Sequence, residues 1–560
     1  MNKANSERVP FRDFLQNHIV IFDGAMGTML QQHGLKPGEK PELLNLKDPK
    51  SVIDVHRAYV EAGADVITTN TFQANEFKIG NDECSIEDII AAGVQCARQA
   101  GARYIALDVG PLGQLMEPMG SITFEKAYEV FKRQMVAGEK AGVDLILIET
   151  VFDLYEIKAA VIAAKESTNL PIICSMTFQD GGRTFTGCEP LTQTVLLKDL
   201  GVDAFGVNCS LGPRFLKPIA DIMLEYAGAP IIVQSNAGLP VKRGDEVVYE
   251  LTPEEYADQV MDMVRAGVKI VGGCCGTTPE HIRLMKQNIK ELQPVQTNPK
   301  PICACTSGTK MVVFDAHRIQ IGERLNPTGK QEMQEALLGE DTDYFVDEAY
   351  EQIDADAQVL DVNVGMPGID EPKMLAAAIR AIQEVAAVPL SIDSADPKAI
   401  EAVARVYNGK PIINSVNGKR ESMAAIFPIA KKYGALVVCM TLDENGIPDT
   451  AAERVAIAKK IRDEAAVFGI PQENLLIDCL ALPASTQPEQ EKETLSAIRM
   501  VKEELGLRTI LGISNISFGL PDRESVNAAF LEAALGAGLD AAILDPLSDK
   551  NQAVLEAFCE

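Results

Sequence analysis

Eight short apolar runs, each followed by a longer stretch of helical period, fill the first half of this 560-residue chain, and the same rhythm then begins again. The first eight are His18–Phe22, Ala64–Thr68, Tyr104–Leu107, Asp144–Ile148, Pro171–Ser175, Val202–Val207, Pro230–Val233 and Val268–Val271. Between them lie segments such as Ser121–Ala141, where Ala127, Val130, Phe131 and Met135 recur at helical spacing, and Tyr256–Val264, which Pro253-Glu254-Glu255 opens. Continuous apolar strands separated by helices build a parallel sheet covered on both faces. Eight such units in about 270 residues match a closed (β/α)8 barrel in number and length. The second series is Arg318–Ile321, Val359–Val362, Pro389–Ile392, Pro411–Asn414, Leu436–Met440, Leu475–Ile477, Thr509–Ile513 and Ala541–Leu544. The fold class is therefore α/β, two consecutive (β/α)8 TIM barrels. A chain this long does not fold round one core. The expected division is a first barrel over 1–292, a linker over 293–315 and a second barrel over 316–560. The linker is read from the turn-rich, non-periodic stretch Gln293-Pro294-Val295-Gln296-Thr297-Asn298-Pro299-Lys300-Pro301. Cys303-Ala304-Cys305 within it is a weak metal candidate, having no second pair or histidine beside it.

In such barrels chemistry gathers where strands end and βα loops begin. The strand-end residues of the first barrel are Asp23, Thr69 with Asn70, Asp108, Glu149, Thr177, Asn208 with Cys209, Ser235 with Asn236, and Cys274 with Cys275. Any polar one could simply cap the next helix. Cysteine is a poor cap, and three of these residues are cysteines at the ends of strands six and eight. Thiolates converging from two strand ends would hold a catalytic zinc with its fourth position open. The competing reading is that they are small buried apolar residues. Adjacent strand residues face opposite ways, so Cys274 and Cys275 can meet one ion only if the backbone turns. Gly272, Gly273 and Gly276 are expected to permit that turn. The loop Asp23-Gly24-Ala25-Met26-Gly27-Thr28 lacks the full dinucleotide or P-loop pattern. Its backbone N–H groups, with Gly24 and Ala25 at the start, would instead hold a small carboxylate, and Asp23 with Glu149 an ammonium. Together these parts describe a site for an amino acid bearing a thiol.

The net charge of −28 argues against a nucleic-acid groove or an anionic membrane as principal partner, while leaving room for a local basic patch that holds a small anion. There is no N-terminal apolar h-region and no run of 18 apolar residues, so a cytoplasmic setting is expected. Twelve cysteines, mostly inside apolar runs, read as reduced thiols.

The motifs Asp23-Gly24-Ala25-Met26-Gly27-Thr28, Val207-Asn208-Cys209 and Gly272-Gly273-Cys274-Cys275-Gly276 resemble the homocysteine S-methyltransferase family over roughly residues 10–290. The resemblance implies that Cys209, Cys274 and Cys275 bind zinc and act on homocysteine through its sulfur. Asp23, Gly24, Ala25, Glu149 and Asn236 are the expected homocysteine-binding residues.

The second mouth differs in kind. Its strand ends carry Glu323 with Asn326, Asp361 with Asn363, Asp393 with Ser394, Asn414 with Asn417, Thr441, Asp478, Asn515 and Asp545, with no histidine and no cysteine cluster. Carboxylates and carboxamides suit a flat, nitrogen-rich heterocycle. Gly322-Glu323-Arg324-Leu325-Asn326, Ser391-Ile392-Asp393-Ser394 and Ile413-Asn414-Ser415-Val416-Asn417-Gly418 resemble the pterin-binding family, which includes dihydropteroate synthases and methyltetrahydrofolate methyltransferases. By that resemblance Asp393, Asn414, Asp478 and Asn515 bind the pterin, with Asn515 near N5. Glu323, Asn326, Asp361 and Asn363 complete the expected folate-binding set. The last strand, Ala541-Ala542-Ile543-Leu544-Asp545-Pro546, has none of the basic, histidine-containing character of dihydropteroate synthases, which favours methyltetrahydrofolate.

A homocysteine barrel followed by a folate barrel resembles the N-terminal half of the cobalamin-dependent methionine synthases, a family in which a corrinoid carries the methyl group from folate to homocysteine. The corrinoid module is expected elsewhere, on another part of the protein or on a partner. Its lower-ligand motif, Asp-x-His-x-x-Gly, surrounds none of His18, His33, His56, His281 or His317. Two other readings stay open: direct transfer from a small sulfonium or betaine-like donor with a separate pterin reaction, and a non-catalytic metal or thiol store.

Overall fold

A computed structural model describes residues 9–36, 38–80, 84–243, 246–314 and 318–558. The chain divides into two compact units, Met1–Lys300 and Pro301–Glu560. The first contains β1 (Val20–Ile21), β2 (Val66–Thr68), β3 (Tyr104–Val109), β4 (Leu145–Val151), β5 (Ile172–Met176), β6 (Ala204–Asn208), β7 (Ile231–Ser235) and β8 (Ile270–Gly273). Every neighbouring pair is parallel, in the order β1-β8-β7-β6-β5-β4-β3-β2. A parallel bridge between Phe22 and Val66 joins the two ends of the sheet. The amide of Asp23 donates to Val66 O (3.1 Å) and that of Asp65 to Ile21 O (2.7 Å) along this seam. Helices cover the outside. Phe124–Ala141, for example, starts where Thr123 accepts from Lys126 N and stops at Gly142, whose φ of 85° ends the helix in the left-handed region.

Inward side chains at the N-terminal ends of the strands, among them Val20, Val66, Tyr104 and Leu145, form one cluster with Phe11, Phe14 and Leu15 of the helix Phe11–Asn17. That helix closes the bottom of the barrel. Tyr104 packs on Phe14 with ring centroids 5.3 Å apart and donates through its hydroxyl to Val9 O (2.7 Å).

The second unit is a closed parallel barrel of β9 (Ile319–Leu325), β10 (Val359–Val362), β11 (Leu390–Asp393), β12 (Ile412–Asn417), β13 (Leu436–Met440), β14 (Leu475–Asp478), β15 (Arg508–Gly512) and β16 (Ala541–Leu544). The expected linker needs correction. Ala304–Thr306 and Met311–Val313 pair as an antiparallel hairpin. Cys303, Cys305, Val312 and Phe314 join Ile319, Ile321 and Val359 in the barrel's core. Thr306 exchanges hydrogen bonds of 2.9 Å with the backbone of Lys410, just before β12. Residues 301–314 are thus the floor of the second barrel, driven there by the apolar runs on either side of the turn. Cys303 and Cys305 are core residues rather than a metal pair. The expected boundary at 315 and 316 lies outside the described residues.

Register slips after Ile148 in β4, Gly322 in β9 and Asn414 in β12. Each bulge falls at the C-terminal end of its strand, where Glu149, Glu323 and Asn414 sit, and re-aims those side chains. Among the described residues no helix is long and apolar enough to cross a membrane.

Candidate functional site

Beyond β6 the chain turns sharply through Cys209 and Ser210, both left-handed, with φ of 61° and 56°. The Cys209 amide donates to Gln234 O (2.9 Å) and the Cys274 amide to Ser235 O (2.8 Å), which laces the ends of β6, β7 and β8 together. The sulfurs of Cys209, Cys274 and Cys275 lie within 4.8 Å of one another. Thiolates around a tetrahedral zinc stand about 3.8 Å apart, so this soft, three-sulfur donor set suits zinc with one position left for a further ligand.

The turn that brings Cys274 and Cys275 together differs from expectation. Gly276 has a φ of 80°, but Gly272 and Gly273 are ordinary strand residues. Gly273 is needed for space: a Cβ there would lie 2.2 Å from Thr277 Oγ1. That hydroxyl donates to Cys274 O (2.7 Å) and accepts from Ala25 N (3.1 Å). The Ala25 N–H is therefore engaged within the protein and is not available to the expected carboxylate cradle. Gly24 is packed as closely, since a Cβ would meet Thr277 Oγ1 at 2.6 Å and Tyr59 Oη at 2.9 Å.

Two tyrosines that sequence reasoning missed support the cysteines. The Tyr256 hydroxyl lies 2.8 Å from Gly272 O and 3.1 Å from Ser235 O, and it accepts from Ser235 Oγ (2.9 Å). Tyr249, on the hairpin Pro240–Arg243 and Glu246–Tyr249, hydrogen-bonds Cys275. Hydrogen bonds from Cys209 and Cys274 hold Cys275 down at about 3, while contacts with Cys209 and Cys275 raise Cys274 well above the usual thiol range.

Beside the sulfurs lies a group of buried carboxyls. Asp23 accepts from the Thr68 amide (2.9 Å) and the Thr68 hydroxyl, yet burial outweighs both and raises it to about 7. Burial, then the charge of Asp23, raises Glu149 to about 8. Asp108 is raised too, by burial first and the charge of Glu149 second. Asn208 holds this group in place. Its Oδ1 accepts from Thr150 N (2.9 Å) and Ser175 Oγ (2.8 Å), and its Nδ2 donates to Thr150 Oγ1 (2.7 Å) and to Glu149 Oε2 (3.4 Å). Asn236 is buried, and its Oδ1, like Gln234 Oε1 and Asp108 Oδ1, has no hydrogen-bond partner. Native proteins leave few such atoms unpaired. Thr69, Asn70 and Thr177 make local contacts instead. Asn70 donates to Pro41 O (2.7 Å), Thr69 pairs with Thr71, and Thr177 donates to Ser210 Oγ (3.0 Å).

In the second barrel, Asn414 Nδ2 donates to Asp361 (3.3 Å), and Asn363 Nδ2 donates to Asp393 Oδ2 (2.9 Å). Burial, then the charge of Asp393, pushes Asp361 well up, and burial raises Asp393 less because Asn363 and Asp361 donate to it. Glu323 accepts from Ser514 Oγ and is raised by burial. Asp478 accepts from the Leu480 amide (2.7 Å) and is raised by burial to about 6. Asn326 Oδ1 accepts from Thr328 N (3.0 Å), a local turn contact. Asn515 is exposed, at the end of the single turn Ile513–Asn515 after β15. Thus Asn414 is joined to Asp361 and Asn363 to Asp393, while among the described residues no hydrogen bond links Asn326, Asp478 or Asn515 to either pair. Arg523, which sequence reasoning missed, donates to Ser514 O (3.0 Å) and Ser517 Oγ (3.0 Å).

Residues 20–289 match the homocysteine S-methyltransferase family, and residues 322–545 match the pterin-binding enzyme family. The chain joins a homocysteine S-methyltransferase domain to a pterin-binding domain. It is 31% identical to a methionine synthase of Mycobacterium tuberculosis over 95% of this chain and 48% of that protein. It is also 31% identical to a methionine synthase of Mycobacterium leprae over 95% of this chain and 47% of that one. The chain therefore spans about half the length of these relatives. Among solved structures, the metallated form of the homocysteine methyltransferase MmuM from Escherichia coli is 25% identical, covering 50% of this chain and all of its own, with a TM-score of 0.43.

Proposed function

We propose that the chain provides the homocysteine and folate sites of a methyl transfer in which the methyl group of 5-methyltetrahydrofolate passes through cobalamin, carried outside residues 1–560, to homocysteine. The products are methionine and tetrahydrofolate. The observation that carries the reading is the cluster of three cysteine sulfurs at the mouth of the homocysteine S-methyltransferase domain, in a chain that continues into a pterin-binding domain. Zinc bound by Cys209, Cys274 and Cys275 would supply a sulfur nucleophile, because a metal-coordinated thiol is deprotonated outright.

The remaining work falls to this chain's own groups. Asp23 and Glu149, both raised by burial, take the homocysteine ammonium, whose charge draws their pKa values back down. Asn236 Oδ1 and Asp108 Oδ1 are the acceptors that such a ligand would satisfy. Gly24 and Ala25 shape the wall beside Tyr59 and Thr277.

In the second barrel the four-residue group of Asp361, Asn363, Asp393 and Asn414 is an edge-on platform for the pterin. Asp478 and Glu323 flank it, and Asn326 offers amide hydrogens that its turn contact leaves over. Asn515 lies beyond β15, where it would face N5. Since the site needs reduced thiols, we assign the protein to the cytoplasm.

The decisive experiment compares the wild-type chain with Cys209→Ala. It measures zinc per chain and methyl transfer from methylcobalamin to homocysteine, alongside 5-methyltetrahydrofolate binding by wild type and Asp393→Asn. The expected result is about one zinc per chain, in line with a single tetrahedral site, and loss of both zinc and transfer in Cys209→Ala, with folate binding lost only in Asp393→Asn. Transfer that survives without metal would refute the first assignment. Folate binding unaffected by Asp393→Asn would refute the second.

A further inference from the structure

Arg454 is fully buried on the helix Ala451–Val467, and its guanidinium meets five acceptors, none of them a carboxylate. Nη1 donates to Cys479 O (2.8 Å), Leu480 O (3.1 Å) and Thr494 Oγ1 (2.9 Å), Nε donates to Pro448 O (3.2 Å), and Nη2 donates to Gln490 Oε1. Burying a cation with no carboxylate among its hydrogen-bond acceptors is costly, and burial lowers the pKa of this one although Glu493, Asp478 and Asp449 act the other way. An apolar or neutral side chain could fill the space more cheaply. The guanidinium must therefore do something at this position that a neutral group does not.

What it grips is the loop that follows β14. Cys479 and Leu480 come directly after Asp478, and Leu480 is left-handed, with φ 64°. A non-glycine residue is uncommon in that region and persists where its surroundings hold it. Here the holding groups are Arg454 and Thr494, whose hydroxyl also donates to Leu480 O (2.9 Å). The same turn points the Leu480 N–H at Asp478 Oδ1 (2.7 Å), so the loop conformation fixes the carboxylate. The positive charge of Arg454 also acts on Asp478, opposing the rise that burial causes.

We infer that Arg454 is the positioning residue of the pterin site. By clamping the carbonyls of Cys479 and Leu480 it holds the left-handed turn whose amide orients Asp478 towards ligand. The inference rests on the pterin reading of the second barrel. It adds a residue on the preceding helix whose effect on ligand runs through Asp478.

A double-mutant cycle separates positioning from general support. The cycle measures 5-methyltetrahydrofolate affinity by calorimetry for wild type, Arg454→Gln, Asp478→Asn and the double variant, with far-UV circular dichroism as a folding check. Arg454→Gln is expected to weaken binding on the order of tenfold, the scale of losing charge-assisted hydrogen bonds. In the Asp478→Asn background the same change is expected to have little further effect. Thr494→Val, which removes one acceptor of Arg454 and one donor to Leu480 O, provides the same comparison with a milder change if Arg454→Gln does not fold. Equal losses in both backgrounds, or no loss from either substitution, would overturn the inference. Wild-type affinity in Asp478→Asn alone would overturn the pterin assignment of Asp478 instead.

Discussion

Asn208→Ala removes the group on which the carboxyl cluster of the first barrel depends, and its cost can be worked from the hydrogen bonds. Three contacts have good length: Thr150 N (2.9 Å), Ser175 Oγ (2.8 Å) and Thr150 Oγ1 (2.7 Å). The fourth, to Glu149 at 3.4 Å, is too long to count for much. At about 1 kcal/mol net for each neutral bond, the three amount to about 3 kcal/mol. Thr150 sits at φ 61° in the bulge of β4, a conformation that costs about 1 kcal/mol or more unless its neighbours impose it. Without Asn208 that bulge should relax and carry Glu149 with it. Scanning calorimetry with and without zinc and homocysteine identifies the transition of the first unit. That transition should fall by on the order of 5 °C, and homocysteine affinity should drop in the same variant. A shift below about 2 °C, or unaltered homocysteine binding, would show that Asn208 merely caps a strand.

Three further outcomes are expected. Tyr256→Phe keeps the ring but loses the hydroxyl between Gly272 O and Ser235 O, so a chelator should strip zinc from it faster than from wild type, and equal rates would count against the support role. Burial raises Glu156 from 4.5 to about 8, with Leu112 N donating to its Oε1 (2.6 Å). A raised carboxyl favours the folded state below its unfolded pKa, and that stability is lost as pH climbs from about 4.5 to about 8; denaturation of Glu156→Gln across this window should show the slope removed, by up to ~5 kcal/mol. Burial and the charge of Asp393 push Asp361 up further than burial raises its partner, so Asp361→Asn should retain folate binding better than Asp393→Asn; equal losses would mean that Asp361 works as an anion.

The barrel strands were legible because each is a run of Val, Ile, Leu or Ala long enough to be buried on both faces, and a residue's place at a strand end then follows from counting. The three cysteines were legible for the same reason. Contacts between distant residues were not. Ala25 N bonds Thr277 Oγ1 across 252 positions, so a loop that reads as an open row of amides is partly closed by a residue near the other end of the domain. Tyr256 reads as an ordinary core residue of an amphipathic helix, and nothing in the 3.6-residue period shows that its hydroxyl reaches two carbonyls beside the cysteines. Gly272 and Gly273 were assigned to a turn because glycine permits one. In fact they stay extended, and their missing side chains leave room for Thr277 beside Gly273 and for Phe22 and Asp23 O beside Gly272.

The floor of each barrel bears on how the domains can be separated. Phe11, Phe14 and Leu15 stop the first barrel from below, and Cys303, Cys305, Val312 and Phe314 stop the second, in both cases from chain just upstream of the first strand. Each barrel is a bottle delivered with its own cork. An expression fragment cut at the first strand of the second barrel would leave the cork behind and expose Ile319, Ile321 and Val359 at an open end. One that begins at Pro301 keeps it.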